Sequence, residues 1–468
     1  MSNTFPAIVT RIARTIADEG GRALLVAGAV RDALLGVRIQ DYDFEIFGIE
    51  ISRLAPILKT LAPQSIDTVG ASFGVLKARF GDLNIDVSIP RSDSKTGTGH
   101  RGFKVAGDPW MAPKEAVRRR DFTINAISMD PLTGELFDFF DGQADIKRQV
   151  LRAIDPVLFR DDPLRVLRAI QLAARFDLTV DPLTIELCRE MSCEPEFAHL
   201  PSPRIGEEWR KLLLLSPRPS VGLRIGLEIG AWQVLHPELA ALVNCHQDPI
   251  SHPEGDVWTH TTIAVDAAAE IVRRERLQTG EALLVIAGAL CHDLGKPATT
   301  EFIDGLWRSS GHDREGTAPT VALLSRMDFG KTFIEKVSHI VNDHLFVTSQ
   351  DGKPADTAVR RLSKRLAPAT IRELIWVAEA NHHGRDMPWD HFPGGAALLK
   401  QAESLSIQQS SPQPLLLGRH LIHDLGWKTG TYFGPILKAV EEAQLEGHIT
   451  TLDEALEMAR ALGETSGL

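Results

Sequence analysis

The 468 residues, 43% apolar and 24% charged, have the composition of an ordinary globular protein and suffice for two to four domains with sizeable cores. A formal net charge of −11 argues against indiscriminate coating of nucleic acid, while leaving room for a local basic groove. The N-terminus lacks the apolar h-region of a signal peptide, and the longest apolar run, ALLVIAGALC (282–291), is too short to span a bilayer, so a soluble cytoplasmic protein is expected. The four cysteines, Cys188, Cys193, Cys245 and Cys291, lack zinc-pair spacing and read as reduced core thiols.

Residues 7–19 have the spacing of an amphipathic helix, and RALLVA (22–27) reads as a short buried strand. Gly28-Ala29 then turns the chain, and Val30-Arg31-Asp32 begins a helix that stops at Gly36. A helix N-terminus behind a small-residue turn offers phosphate its free N–H groups and dipole, and Arg31 adds a guanidinium in the first turn. Asp41-Tyr42-Asp43 follows nine residues after Asp32. Carboxylates two apart on a strand face the same way, with Cα atoms roughly 6–7 Å apart, and can share hard divalent ions. Taken alone, the pair reads as the acidic end of a strand; the turn upstream favours the metal reading.

FGVLKARFGDLNIDVSIP predicts two strands, about 74–80 and 84–89, around Gly81-Asp82-Leu83-Asn84. Ile85, Val87 and Ile89 share one face, and Asp86 and Ser88 the other. Asp86 is therefore either a third carboxylate beside the pair or a solvent-facing residue of a half-exposed strand. Residues 91–117 are Gly-rich and read as a mobile loop. Eight Lys/Arg against three Asp/Glu give the stretch from Arg91 to Arg120 a net charge of +5. Arg119-Arg120-Asp121-Phe122-Thr123-Ile124-Asn125-Ala126 then reads as a charged cluster running into a helix. Its arginines suit phosphate, and Asp121 and Asn125 suit ribose hydroxyls.

Residues 141–225 read as mostly helical. Within them Asp162 and Arg165 share a helix face, either as an ion pair or as an acceptor and forked donor able to read base edges. Arg204, Glu208 and Lys211 read as scaffolding. Further on, His260, His292-Asp293, His312 and Asp343-His344 form a series of the kind that builds sites for transition metals or magnesium. Asn381, in EANHHGR, is a weaker ligand than a carboxylate. The segment from Pro414 onward carries no catalytic constellation, and its Gly-rich turn between helices suits RNA docking by shape.

Together, LVAGAVRDALLG, DYD and RRDFTINA resemble the bacterial class II tRNA nucleotidyltransferases, the CCA-adding enzymes and their poly(A) polymerase relatives. Ala27 stands where that family has the first glycine of Gly-Gly-x-Val-Arg-Asp, a methyl tolerated outside Gly-only backbone conformations. Arg160-Asp161-Asp162-Pro163-Leu164-Arg165 resembles the family's EDxxR motif with Asp161 in place of Glu. The combination HPEGDVWTH…CHDLGK resembles the HD phosphohydrolase domain fused to some bacterial members.

The resemblance covers essentially the whole chain. It implies an α+β protein: a nucleotidyltransferase palm (mixed sheet with flanking helices) over 1–140, a helical neck over 141–225, an HD domain over 226–386 and a helical tail over 387–468. It implies attack of a tRNA 3′-hydroxyl on the α-phosphorus of CTP or ATP, with Asp41 and Asp43 holding two Mg2+ ions and Asp86 the candidate catalytic carboxylate to complete the first site. Gly28, Arg31, Arg120, Asp121, Asn125, Asp162, Arg165 and Arg168 would bind the nucleotide, Asp162 and Arg165 choosing the base without a template. His260, His292 and Asp293 would hold a second divalent metal. Alternatives are a CC-adding, A-adding or poly(A)-polymerising relative, an HD phosphohydrolase with an RNA-binding head, and an RNA-binding protein without turnover.

Overall fold

The computed structural model describes residues 5–39, 41–69, 75–95, 103–348, 354–385 and 392–465. The chain divides into two compact units, Met1–Arg204 with Arg224–Leu235, and Ile205–Leu223 with His236–Leu468.

In the first unit, helix α1 (Ala7–Asp18) buries Val9, Ile12, Ala13 and Ile16 at three- and four-residue spacing. Strand β1 (Arg22–Val26) leads into helix α2 (Gly28–Leu35), which ends at Gly36 in the left-handed conformation (φ 68°) that favours glycine. Strand β2 (Tyr42–Phe47), helix α3 (Ile51–Lys59) and strands β3 (Ser65–Val69), β4 (Val75–Phe80) and β5 (Leu83–Ser88) follow. Completed by β6 (Arg91–Lys95), β7 (Phe103–Gly107), β8 (Ser128–Met129) and β9 (Leu136–Phe137), the strands build a seven-stranded mixed sheet ordered β3-β4-β5-β2-β1-β8-β9, with β6 and β7 paired separately. Only β2 and β5 run parallel in the large sheet, and their register sets Asp43 beside Asp86. Because strand side chains alternate, these two carboxylates share a face while Phe44 and Val87 enter the core on the other.

Three local expectations change. Residues 91–117 are not one loop: β6 and β7 form an antiparallel ladder, and Pro113–Arg118 is a helix. One strand, RSDSK, is wholly polar and a Gly-rich stretch separates it from the other, FKVAG, so the pairing, carried by backbone groups, is hidden in the sequence. Residues 96–102, including Arg101, lie outside the described residues, as do 387–391 at the start of the expected tail. Arg119–Ala126 does not run into an α-helix but passes through a single 3-10 turn (Thr123–Asn125) to β8. Lastly, Ala27 adopts φ 53°, ψ −122°, the left-handed φ in which an L-residue is strained, so its methyl is not comfortably tolerated. Helix Leu164–Phe176 and its neighbours supply the mostly helical remainder of this unit.

The second unit is helical. Helix Thr279–Cys291 contains the long apolar run and is buried from Ala282 to Cys291. Helices Val257–Glu275, Lys331–Asp343 and Ile371–His383 surround it. Gly288 allows the close approach of Ile371–His383, since a Cβ there would sit 2.6 Å from Val377 Cγ2. Helices Gly418–His423, Phe433–Glu446 and Leu452–Thr465 close a small core of their own around Leu421, Ile436, Val440 and Ala459. This tail is tied to helix Asp356–Leu366 by Lys364–Glu441 (2.6 Å) and Arg361–Glu446 (2.9 Å). Of the free cysteines, Cys188 and Cys291 are buried, Cys245 is intermediate and Cys193 is exposed, the last departing from a core thiol. No helix among the described residues is long and apolar enough to cross a membrane.

Candidate active site and a histidine cluster

The head carboxylates come together as the strand pattern requires. Asp41 is exposed just before β2, Asp43 lies half-buried within it, and Asp86 is its neighbour on β5. Burial first, then the charges of Asp86 and Asp41, push the Asp43 carboxyl up to about 6, against the opposing pull of Arg120 and Lys77. Lys77 reaches to 3.6 Å from Asp86. The three carboxylates do not converge to within 4.8 Å of one another. They are a clustered, oxygen-only, under-compensated set of negative charges, which suits hard divalent cations.

The expected nucleotide ligands divide. Gly28 opens α2 with its Cβ direction nearly clear, the nearest atom being Arg31 Nη2 at 3.5 Å. Arg120 is mostly buried and lies 3.7 Å from the buried Glu45, which also holds Arg119 at 3.4 Å. Glu45, two residues beyond Asp43 on β2, thus anchors both arginines beside the carboxylates. The spacing Asp-x-Asp-x-Glu carries that signal, but a sequence does not say that Glu45 is buried.

Arg31 is committed within the protein. Its Nε and Nη2 donate to Asp32 (2.8 and 2.6 Å), Nη1 donates to Asn125 Oδ1 (2.7 Å), and the guanidinium lies over the Phe176 ring. Asn125 in turn donates to Asp121, whose other oxygen accepts from Arg168 at 2.6 Å. Burial raises the Asp121 pKa, but the Arg168 charge and the Asn125 hydrogen bond outweigh it and hold the carboxyl at about 2. Arg31, Asp121, Asn125 and Arg168 therefore form one chain of polar contacts, buried except at its Arg168 end, joining α2 to helix Leu164–Phe176.

Asp162 and Arg165 do not pair with each other. Asp162 caps Leu164 N–H and accepts from Arg204 at 2.7 Å. Arg165 donates to the carbonyls of Leu158 and Arg119. Arg204, expected to be scaffolding, thus contacts one of the two candidate base readers directly.

In the second unit, His260, His292 and Asp293 are brought together, and so are His312 and His344. His260 Nε2 lies 3.2 Å from His292 Nε2 and 3.1 Å from Asn381 Oδ1. His312 Nε2 lies 3.3 Å from His344 Nε2. Asp293 sits between the pairs, Oδ2 3.1 Å from His292 Nε2 and Oδ1 3.3 Å from His312 Nε2. Every ring has its Nδ1 on an acceptor: His260 on Glu254, His292 on the Ala289 carbonyl, His312 on Ser309 and His344 on Val341. Those bonds assign the proton to Nδ1 and leave Nε2 of a neutral ring as a bare lone pair. Burial pushes His260 down to about 4 and His344 to about 3, so these rings are neutral at pH 7. Lone pairs facing one another beside a carboxylate are the donor set of a cation, and imidazole with carboxylate fits a transition metal. The cluster opens on a cavity of about 330 Å3 whose lining includes Lys296, Trp307, Arg308 and Arg385. Glu254 and Lys296 escaped the reading of isolated His-Asp motifs; the surrounding HPEGD and HDLGK are where they stood.

Residues 23–152 match the Poly A polymerase head domain, and residues 177–242 the probable RNA and SrmB-binding site of polymerase A. The multifunctional CCA protein of Xanthomonas oryzae pv. oryzae is 36% identical over 370 residues, 77% of this chain and 85% of that protein. That of Xylella fastidiosa strain M23 is 34% identical over 397 residues, 82% of this chain and 90% of that protein. In fold, the chain is similar to the Bacillus stearothermophilus CCA-adding enzyme in complex with CTP (TM-score 0.67, 19% identity, 98% of each chain). It is also similar to the Thermotoga maritima CCA-adding enzyme complexed with tRNA (TM-score 0.59, 19% identity, 98% of this chain and 96% of that one). With identity at this level across more than four-fifths of such relatives, and a mixed head sheet that sets Asp43 against Asp86, the chain belongs to the multifunctional CCA protein family, the CCA-adding nucleotidyltransferases.

Proposed function

We propose that the chain adds CCA to the 3′ end of tRNA from CTP and ATP, releasing pyrophosphate. The observation that carries the mechanism is the β2–β5 register, which presents Asp43 and Asp86 on one face with Asp41 at the strand end. Asp41 and Asp43, with Asp86, would hold Mg2+, which when bound acidifies the attacking hydroxyl and neutralises charge on the triphosphate. Gly28 and the α2 N-terminus give the phosphates free N–H groups. Arg120, steadied by Glu45, supplies a positive charge beside Asp43. The chain Arg31–Asn125–Asp121–Arg168 holds the floor of this site in place, so these four act on the nucleotide mainly by fixing geometry. Asp162 and Arg165 meet the base, Asp162 oriented by Arg204. The four segments 1–140, 141–225, 226–386 and 387–468 serve as head, neck, HD domain and tail, with RNA docking along 177–242 and the tail. A tRNA substrate fits the cytoplasm as the compartment of the reaction.

A second reading concerns the other unit, where His260, His292, Asp293, His312 and His344 would hold divalent metal for phosphoester hydrolysis. The buried, facing imidazoles favour it, and Lys296, Arg308 and Arg385 give the adjoining cavity cations suited to a phosphate.

One experiment addresses both readings. The protein is incubated with tRNA lacking its 3′ end, Mg2+ and CTP and ATP singly and together, and products are resolved at single-nucleotide length. Asp41→Ala is expected to abolish incorporation while nucleotide binding largely survives, and His292→Ala to leave incorporation intact. Phosphate release from a phosphomonoester should show the reverse pattern. Incorporation at full rate in Asp41→Ala would remove the mechanism, and hydrolysis unaffected by His292→Ala would remove the second reading.

A further inference from the structure

The histidine cluster is unequal in one respect. Three of its four rings direct Nδ1 to a backbone carbonyl, which is neutral. His260 alone directs Nδ1 to a carboxylate, Glu254 Oε1 at 2.6 Å. The same oxygen accepts from His252 Nδ1 at 2.8 Å. The Glu254 side chain is 2% exposed, and its Oε2 is buried with no hydrogen-bond partner. A buried carboxylate in this position is costly unless its charge is used. Among the groups facing His260 Nε2, the charge count is low. Asn381 contributes a neutral amide oxygen, and Asp293, the one carboxylate of the inner set, is already shared with the Lys296 ammonium at 2.8 Å.

We propose that Glu254 is the second carboxylate of this centre, acting through His260 rather than by touching the ion. Resting on the metal-centre reading above, the proposal assigns Glu254 two tasks as a positioning residue. It fixes the His260 tautomer with Nε2 bare and aimed at His292 and Asn381. It also places a full negative charge behind the ring, raising the donor strength of Nε2 and offsetting the neutral Asn381. A carboxylate behind a ligating imidazole typically governs metal affinity by about 10–100-fold. His252, held by the same oxygen, lines the cavity and keeps Glu254 from rotating away from His260.

The test uses the full chain carrying Asp41→Ala, Asp43→Ala and Asp86→Ala, which removes all three head carboxylates, and Co2+ alone as probe. Affinity is measured by calorimetry and by the visible absorption that imidazole ligation gives Co2+. Glu254→Gln, which keeps size but removes charge, is expected to weaken Co2+ binding about 10–100-fold. Adding Asn381→Asp to Glu254→Gln should recover at least tenfold of that loss, because the missing charge is supplied directly. A merely structural role for Glu254 would not be rescued from position 381. Should Glu254→Gln unfold the segment, Asn381→Asp alone carries the test, with tighter Co2+ binding expected. Binding abolished by His292→Ala but unchanged in Glu254→Gln would overturn the role of Glu254 while leaving the metal centre standing. A parent that takes up no Co2+ would overturn the metal centre itself, and the proposal with it.

Discussion

Ala27 and Asp43 are each held in an unfavourable state by what surrounds them. Ala27 carries a methyl at φ 53°, and Ala27→Gly is expected to stabilise the protein by about 1 kcal/mol, strain relief exceeding the extra unfolded-state freedom of glycine. Urea denaturation would check this, and equal midpoints would mean that the turn is unstrained. Asp43 titrates near 6 when folded, against 3.8 for the unexposed-to-neighbours reference, so the folded state binds more protons than the unfolded state between those values. Stability therefore falls as pH rises through this window, and the protein at neutral pH carries the cost. Asp43→Asn is expected to raise Tm in metal-free buffer at about pH 7.5, with the gain disappearing below about pH 4. Protons also compete with divalent ions at this carboxyl, so the metal concentration needed for transfer should rise as pH drops below about 6. A flat metal requirement across that range would contradict the assignment of Asp43.

At the scale of elements, α2, the 3-10 turn Thr123–Asn125 and helix Leu164–Phe176 are distant in sequence and fastened by one polar chain. Asn125 is its middle link, accepting from Arg31 and donating to Asp121. Asn125→Ala leaves one buried guanidinium and one buried carboxylate each short of a partner, at an expected cost of about 2–3 kcal/mol. Chemical denaturation would read the loss; unchanged stability with a raised KM for nucleotide would instead make Asn125 a ribose contact only. The same chain explains why residues with the chemistry to bind phosphate and ribose are not all free to do so. Their type and order were legible in RRDFTINA, but the helical partners of Asp121 and Asn125 lie 47 and 94 residues away in the sequence. The β6–β7 ladder was not legible, because its first strand, RSDSK, is wholly polar and five-residue strands held by backbone hydrogen bonds leave little periodicity to read.

For the whole molecule, the head carboxylates and the histidine cluster belong to different compact units, and under the proposed readings Asp41→Ala and His292→Ala are expected to fail in opposite assays. The alternation in strands β2 and β5 already puts Asp43 and Asp86 on polar faces, and the helical periodicity around CHDLGK already places His292 and Asp293 at a buried helix end. Such features depend on neighbours a few residues apart, and a linear sequence holds them in full. The sequence by itself thus determined the α+β head, the helical remainder, the order of the motifs and the identity of the carboxylates and histidines. Only the tertiary structure decided that Asp43 sits beside Asp86 in parallel register, that Arg31 is spent on Asp32 and Asn125, that His312 and His344 join Asp293, and that Glu254 stands behind His260. Strand register, burial and the choice of hydrogen-bond partner are set by packing between distant segments, and the same side chain binds a ligand or braces the fold according to which partner reaches it first.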